Sequence, residues 1–265
     1  MRPSTDRLRH RRSEGPQDLR TNVVVLLTAA VQPNSGVSVA LSDAEARRTQ
    51  YLDSFRFWGE FAQRTGARIV VTESSGTPPD CFLEAFSESG CNEITWIDVT
   101  PTETALMRGK GAIEAEMIDR TVGLLTDDTT AMYKITGRLT IANADRVITE
   151  LPERTVVARG LLDRSRFDMR VVGASRAIWA RDLSGMCDEV DEARGTDLGN
   201  VLAARLMHAS AVRQVRVNRF AERPRLRGVS GTRGEDYGRP TRRIAELLME
   251  PIDRAAFSLA ARKSV

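Results

Sequence analysis

Arg108-Gly109-Lys110-Gly111 and, one helix later, Tyr133-Lys134-Ile135-Thr136-Gly137-Arg138-Leu139 form the stretch whose reading decides the fold. The first motif reads as a helix start, because Ile113, Met117, Ile118, Val122 and Leu125 follow it at helical spacing. The second reads as the strand to which that helix returns the chain, apolar at first and polar at its end. Backbone amides at a helix start favour an anion, Arg108 and Lys110 add charge, and Gly109 and Gly111 let a ligand approach the backbone. The pattern points to a phosphate-bearing ligand. Alternate residues of a strand share a face, so Lys134, Thr136 and Arg138 are expected to point together into one cleft. The competing structural account is an ordinary helix entry, with the strand's cations solvated or paired with Glu114 or Glu116.

Working outward, Asn22 to Val31 contains Val23-Val24-Val25-Leu26-Leu27, a continuous apolar run of the kind found in a parallel strand covered on both faces. A functional loop is expected after Thr28. Ser42 and Glu45 suggest a capping box for a helix whose apolar face is Tyr51, Phe55, Trp58 and Ala62 and whose stop is Gly66. That spacing assigns Tyr51, Phe55 and Trp58 to the core, with stacking on a base or sugar as the competing role. Arg68 to Thr72 reads as a second strand, followed at once by the polar Glu73-Ser74-Ser75-Gly76, and polar residues at the carboxyl end of a parallel strand are where open α/β sheets bind ligands. A helix at Phe82 to Phe86 and a strand at Ile94 to Val99 continue the alternation and predict a three-layer α/β fold. Beyond residue 151 the pattern is less regular. Strands are expected at Thr155 to Ala158 and Met169 to Val172, a helix at Asp197 to Met207, a basic Gly-rich loop from Arg223 to Gly234, and a last helix from Thr241.

The chain has 265 residues, 41% of them apolar and 28% charged, which is ordinary globular composition. Six arginines against three acids in residues 1–20 carry the whole net charge of +3, so the remainder is formally neutral. That basic segment reads as a solvated, disordered tail, with contact to nucleic acid or an anionic membrane surface as the lesser reading. Cys81, Cys91 and Cys187 lack zinc-type spacing, and His10 and His208 stand alone. No apolar run suggests a signal peptide or a membrane span, and a cytoplasmic protein is the expectation, at the inner face of the membrane if the tail binds lipid.

Taken together, the strand ending Leu26-Leu27-Thr28, the strand ending Glu73-Ser74, the Arg-Gly-Lys-Gly helix start and the Lys-Ile-Thr-Gly-Arg strand resemble bacterial glycosyltransferases of surface-polysaccharide gene clusters, over about residues 22–240. The resemblance implies a GT-A-like, Rossmann-type sheet, mostly parallel, with a less regular acceptor side. It divides one globular domain into a tail at 1–20, a nucleotide-sugar-binding half at 21–151 and an acceptor-side half with a C-terminal helix at 152–265. It implies transfer of a sugar from a nucleotide-sugar donor to a glycan or lipid-linked acceptor. On this reading Thr28, Glu73, Ser74, Arg108, Gly109, Lys110, Gly111, Lys134, Thr136 and Arg138 serve the donor and its phosphates, and Arg170, Arg176, Ser230, Gly231, Thr232 and Arg233 the acceptor or a closing loop. Asp168 and Asp197 are the candidate catalytic carboxylates, with a turn or salt-bridge role as the competing account.

One departure from the family pattern bears on cofactors. No Asp-x-Asp follows the fourth strand, where Lys134-Ile135-Thr136-Gly137-Arg138 stands instead. A departing nucleoside diphosphate needs its charge stabilised, and fixed Arg and Lys groups can supply what a divalent cation otherwise would. No cofactor is firmly expected, and metal dependence stays open. Asp127-Asp128 reads as a solvated turn. Two alternatives remain at this stage: a nucleotidyltransferase, and a non-catalytic binding protein with a degraded transferase fold and a basic tail. Nucleic acid is not the expected partner.

Overall fold

The computed structural model describes residues 22–32, 43–91, 93–161, 163–230, 234–238, 250, 251 and 255. The tail at 1–20, the Ser42 cap, Gly231-Thr232-Arg233 and the start of the last helix at Thr241 lie outside these residues. Strand β1 (Val23–Ala29) is buried along its whole length. It pairs in parallel with β2 (Arg68–Glu73) on one side and β4 (Ala131–Thr136) on the other. Its side chains alternate between two cores. Val23, Val25 and Leu27 join α1 (Ala44–Thr65) and α2 (Asp80–Glu88), whereas Val24 and Leu26 join α4 (Lys110–Val122) and α7 (Leu198–Arg213). A strand with both faces covered can be apolar without alternation, which is why this run was legible.

The remaining elements follow in chain order. Strand β3 (Ile94–Asp98) pairs with β2, and α3 (Glu103–Arg108) leads into α4 through Gly109. After β4 come β5 (Thr140–Ile141), the short α5 (Ala144–Val147), β6 (Thr155–Gly160) and β7 (Phe167–Ser175). Then α6 (Arg176–Ile178) runs into a π-helical turn at Trp179–Leu183 before α7, and β8 (Arg216–Asn218) and β9 (Leu226–Arg227) follow. Among the described residues the main sheet has the order β3-β2-β1-β4-β7-β6-β8. Within this sheet, among the described residues, β7 alone is reversed, while β5 and β9 form a second, antiparallel pair. The expected α/β class with a mostly parallel sheet is therefore borne out. No described helix is long and apolar enough to cross a membrane.

Local chemistry fixes the elements next to the cleft. Helix α1 is capped by Asp43, whose carboxylate accepts from Glu45 N and Ala46 N, and it ends at Gly66 in the left-handed region. Tyr51, Phe55 and Trp58 are buried in the core, as their spacing requires. The expected strand 133–139 is divided. β4 stops at Thr136, and residues 137–139 form a turn in which Gly137 N donates to Thr28 O at 2.9 Å and Leu139 N to Thr136 O at 2.9 Å. Trp58 Nε1 and Ser54 Oγ both donate to Leu139 O, at 2.9 and 3.1 Å, tying the turn to α1. Strand β5 then pairs with β9, which brings residues 228–230 and 234–238 to the same edge of the sheet.

The turn leaves no room for a side chain at Gly137. A Cβ there would lie 2.7 Å from Thr28 O and 3.2 Å from the Tyr51 ring. Gly137→Ala should therefore lower the unfolding free energy by about 1–3 kcal/mol, as overpacking does. Urea unfolding measures this, and an unchanged midpoint would contradict the close approach of β1 and the turn.

Candidate functional site

The parallel strands deliver their carboxyl ends to one edge of the sheet, and a cleft of about 970 Å³ opens there. Thr28, Ala29, Ala30 and Ser74 floor it, Thr136, Arg138 and Leu139 form one rim, and Lys110, Gly111 and Glu114 of α4 form another. Because β7 is antiparallel, its first residues Phe167 to Arg170 arrive at the same edge, together with Asp197 and the start of α7. Val229, Ser230, Glu235 and Tyr237 close the side nearest β9.

Of the residues expected from sequence, Thr28, Ser74, Lys110, Gly111, Thr136, Arg138, Asp168, Arg170, Asp197 and Ser230 line this cleft. Others do different work. Lys134 is completely buried. Its ammonium lies 2.5 Å from Glu114 Oε1 and donates to Met169 O at 2.5 Å and Thr136 Oγ1 at 3.5 Å. These three acceptors use all three of its donors, so it offers none to a phosphate. Removing one partner of a buried pair costs about 3–5 kcal/mol, so charge reversal at Lys134 reports on folding and not on ligand binding. Nor do Lys134, Thr136 and Arg138 share a face. The first two point towards α4, whereas Arg138 stands in the turn and packs over Tyr51 of α1.

The helix start holds an anion, but that anion belongs to the chain. Gly109 has φ 109°, and a Cβ there would sit 2.5 Å from Glu192 Oε2. Gly111 N donates to Glu192 Oε1 at 3.0 Å. Arg108 points elsewhere, donating to Cys187 O at 3.0 Å and lying 3.5 Å from Asp188. Arg176 leaves the far end of β7 and pairs with Asp127 at 2.9 Å, on the opposite edge of the sheet. Glu73 is buried beneath the cleft, where its carboxylate accepts from Val31 N, Ser75 N and Thr77 N at 3.1, 2.8 and 3.0 Å and from the Ser75 hydroxyl. It shapes the loops after β1 and β2 instead of facing a ligand.

Both aspartates are engaged. Arg170 donates to the two oxygens of Asp168, and Tyr237 stacks on the guanidinium at 4.7 Å. Burial by itself would raise the Asp168 carboxyl, but the Arg170 hydrogen bonds and charge outweigh it and hold the group below the ordinary aspartate value. Asp197 caps α7 by accepting from Asn200 N at 3.1 Å, and its other oxygen lies 2.7 Å from Arg166. Each reads as a positioning group, Asp168 for Arg170 and Asp197 for the α7 start.

Residues the sequence reading passed over complete the cleft, Arg47, Arg159, Arg166, Glu192 and Tyr237, together with Glu114, which was named only as a competing partner for the strand's cations and is indeed the partner of Lys134. Arg47 had a usable signal, since it precedes Tyr51 by one helical turn on the buried stripe. Its Nε donates to Ala30 O at 3.0 Å. Burial is the main cause that lowers the Arg47 guanidinium from its ordinary value, and the nearby Arg138 charge pushes the same way. Arg138 itself is only 9% exposed. Its Nη1 reaches Val229 O at 3.1 Å and Gln50 Oε1 at 3.4 Å, while Nε is buried without an acceptor. Among the described residues no group of three or more His, Cys, Asp or Glu side chains converges on a point where a metal would be held. The position after β4 presents a guanidinium, which repels a cation.

No family model matches the sequence, and no curated protein does. Some solved structures are similar at low identity. A protein assigned as a nucleotide-diphospho-sugar transferase from Desulfovibrio desulfuricans G20 is 11% identical, covering 75% of this chain and 79% of that one, with a TM-score of 0.47. The galactosyltransferase LgtC, in complex with donor and acceptor sugar analogs, is 14% identical over 74% and 72%, with a TM-score of 0.47. A cytidylyltransferase from Leptospira borgpetersenii is 8% identical over 77% and 78%, with a TM-score of 0.36. At this level of similarity, fold and chemistry have to be read from the chain's own topology and side chains.

The Asp168–Arg170 pair sets a pH dependence. A depressed folded-state value means that the pair's stabilisation is complete above the unfolded aspartate value of about 3.9 and is lost as pH falls through the folded value. The stability gap between the wild type and Asp168→Asn, measured by urea unfolding, should therefore narrow below about pH 4. A gap independent of pH would contradict the assignment.

Proposed function

We propose that the protein is a glycosyltransferase that moves a sugar from a nucleotide-sugar donor to a hydroxyl of a glycan or lipid-linked acceptor, with the diphosphate held mainly by arginine and lysine. The observation that carries this reading is Arg138. A guanidinium that is nine-tenths buried and held by Val229 O and Gln50 Oε1 lines a cleft at the carboxyl edge of a mostly parallel sheet. An oxyanion is what a guanidinium on a cleft wall takes best, because charge-assisted hydrogen bonds to phosphate oxygens are the strong ones. The nearby Arg47 adds a second positive charge on the same wall. A cleft of about 970 Å³ is large enough for a nucleotide sugar.

In the proposed reaction the acceptor oxygen forms a bond to C1 of the sugar as the bond from C1 to the diphosphate oxygen breaks. The electron pair of that bond leaves with the nucleoside diphosphate, and the hydroxyl proton passes to water in the open cleft. Negative charge grows on the departing diphosphate, where Arg138 and Arg47 lower the barrier by stabilising it. The residues after β4 do not fit a divalent cation, so no step is assigned to one.

Arg138→Gln should weaken binding of the preferred nucleoside diphosphate by about ten-fold or more, since a hydrogen bond to a charged group contributes about 1.5–3 kcal/mol and 1.4 kcal/mol is ten-fold. Isothermal titration with UDP, GDP, CDP and ADP, in EDTA, reads this directly. Equal affinity of wild type and variant for the tightest of them would remove Arg138 from the site.

A further inference from the structure

Lys134, Thr28, Glu114 and the Met169 carbonyl meet on the α4 side of the cleft. The Lys134 ammonium and the Thr28 hydroxyl, at 2.5 and 3.0 Å, converge on the same carboxylate oxygen, Glu114 Oε1. Oε2 accepts from no described group, and the Glu114 side chain keeps 25% of its surface exposed on the cleft wall. The neighbouring carboxylates differ. Both oxygens of Asp168 and of Asp197 are engaged, whereas Glu192 accepts through Oε1 from Gly111 N and lies against the start of α4, away from Lys134 and Thr28. Glu114 is thus held rigidly at one oxygen and open at the other, and the open oxygen is an acceptor aimed at solvent.

We propose that Glu114 Oε2 accepts a hydrogen bond from a hydroxyl of the donor's sugar, so that the cleft prefers a nucleotide sugar to the bare nucleoside diphosphate. This inference rests on the glycosyltransferase reading. A carboxylate repels phosphate and attracts a hydroxyl, so the diphosphate belongs with Arg138 and Arg47 on the α1 side and the sugar with Glu114 on the α4 side. Thr28 and Thr136 lie between the two, and Ile113 and Met117 supply apolar surface for the ring's carbon face. Because Lys134 and Thr28 already fix the side chain, accepting the hydroxyl costs little further side-chain entropy.

The experiment compares affinities. Glu114→Gln by itself leaves a buried ammonium without its counter-charge, so the test variant is Glu114→Met with Lys134→Met, which replaces the pair by apolar side chains of similar length. The tightest-binding nucleotide sugar from a panel of UDP-, GDP-, CDP- and ADP-hexoses, and its own nucleoside diphosphate, are titrated against wild type and variant. The variant should bind the nucleoside diphosphate within about two-fold of wild type and the nucleotide sugar about ten-fold more weakly, the low end for a hydrogen bond to a charged group. A preference that survives in the variant overturns the assignment, and so does an equal loss for both ligands, which is what a purely structural role produces. A second measurement uses the wild type with monodeoxy forms of the same sugar: one position should lose about ten-fold, and no loss at any position overturns the proposal. If the wild type binds no member of either panel, the glycosyltransferase reading itself fails and this inference falls with it.

Discussion

The structure depends on the burial of β1 between two parallel partners. With β2 and β4 on either side and helices over both faces, the backbone polar groups of this strand are met by its neighbours and its side chains from Val23 to Leu27 pack into the two apolar cores. Polar groups at the heart of the sheet can therefore emerge only where the strands end. The register sets Thr28 opposite Thr72 and Thr136, and Ala29 opposite Glu73, so three strands finish at one level. The reversed direction of β7 adds a fourth contributor, because its start and not its end reaches that edge. The cleft is a consequence of this arithmetic of strand ends.

Charge inside the cleft is arranged unevenly. On the α7 and β7 side, cations are matched by acids: Arg170 by Asp168 and Arg166 by Asp197. On the α1 side, Arg47 and Arg138 sit close enough for one charge to affect the other. On the proposed reading these two charges are the preorganised partners of an entering anion. The turn that carries Arg138 is kept in place by Trp58, Ser54 and the loop containing Val229. A buried charge and mechanical support therefore coincide at one residue.

Much of the fold was legible in the sequence, because the signals were local. The run at Val23 to Leu27, the stripe of Tyr51, Phe55 and Trp58, and the helix after Gly111 each declare themselves within one element. The site was legible only in part. The Lys-Ile-Thr-Gly-Arg strand located the cleft, but the turn at Gly137 broke the alternation that was expected to align Lys134 with Arg138. Glu192 takes the helix start from a distance of 81 residues along the chain, and Arg176 pairs at the far edge because β7 is reversed. Neither fact has a local signature. Periodicity reports what is buried, whereas which charges meet depends on topology.

The central claim is that an arginine-lined cleft at the carboxyl edge of this sheet receives the diphosphate of a nucleotide sugar without help from a divalent cation. Thermal shift with a panel of nucleoside diphosphates and nucleotide sugars, with and without EDTA, tests it most directly, since a ligand that binds only the native state must raise its stability. The account predicts a shift specific to one nucleotide class that persists in EDTA. A shift abolished by EDTA, or no shift with any member of the panel, would contradict it.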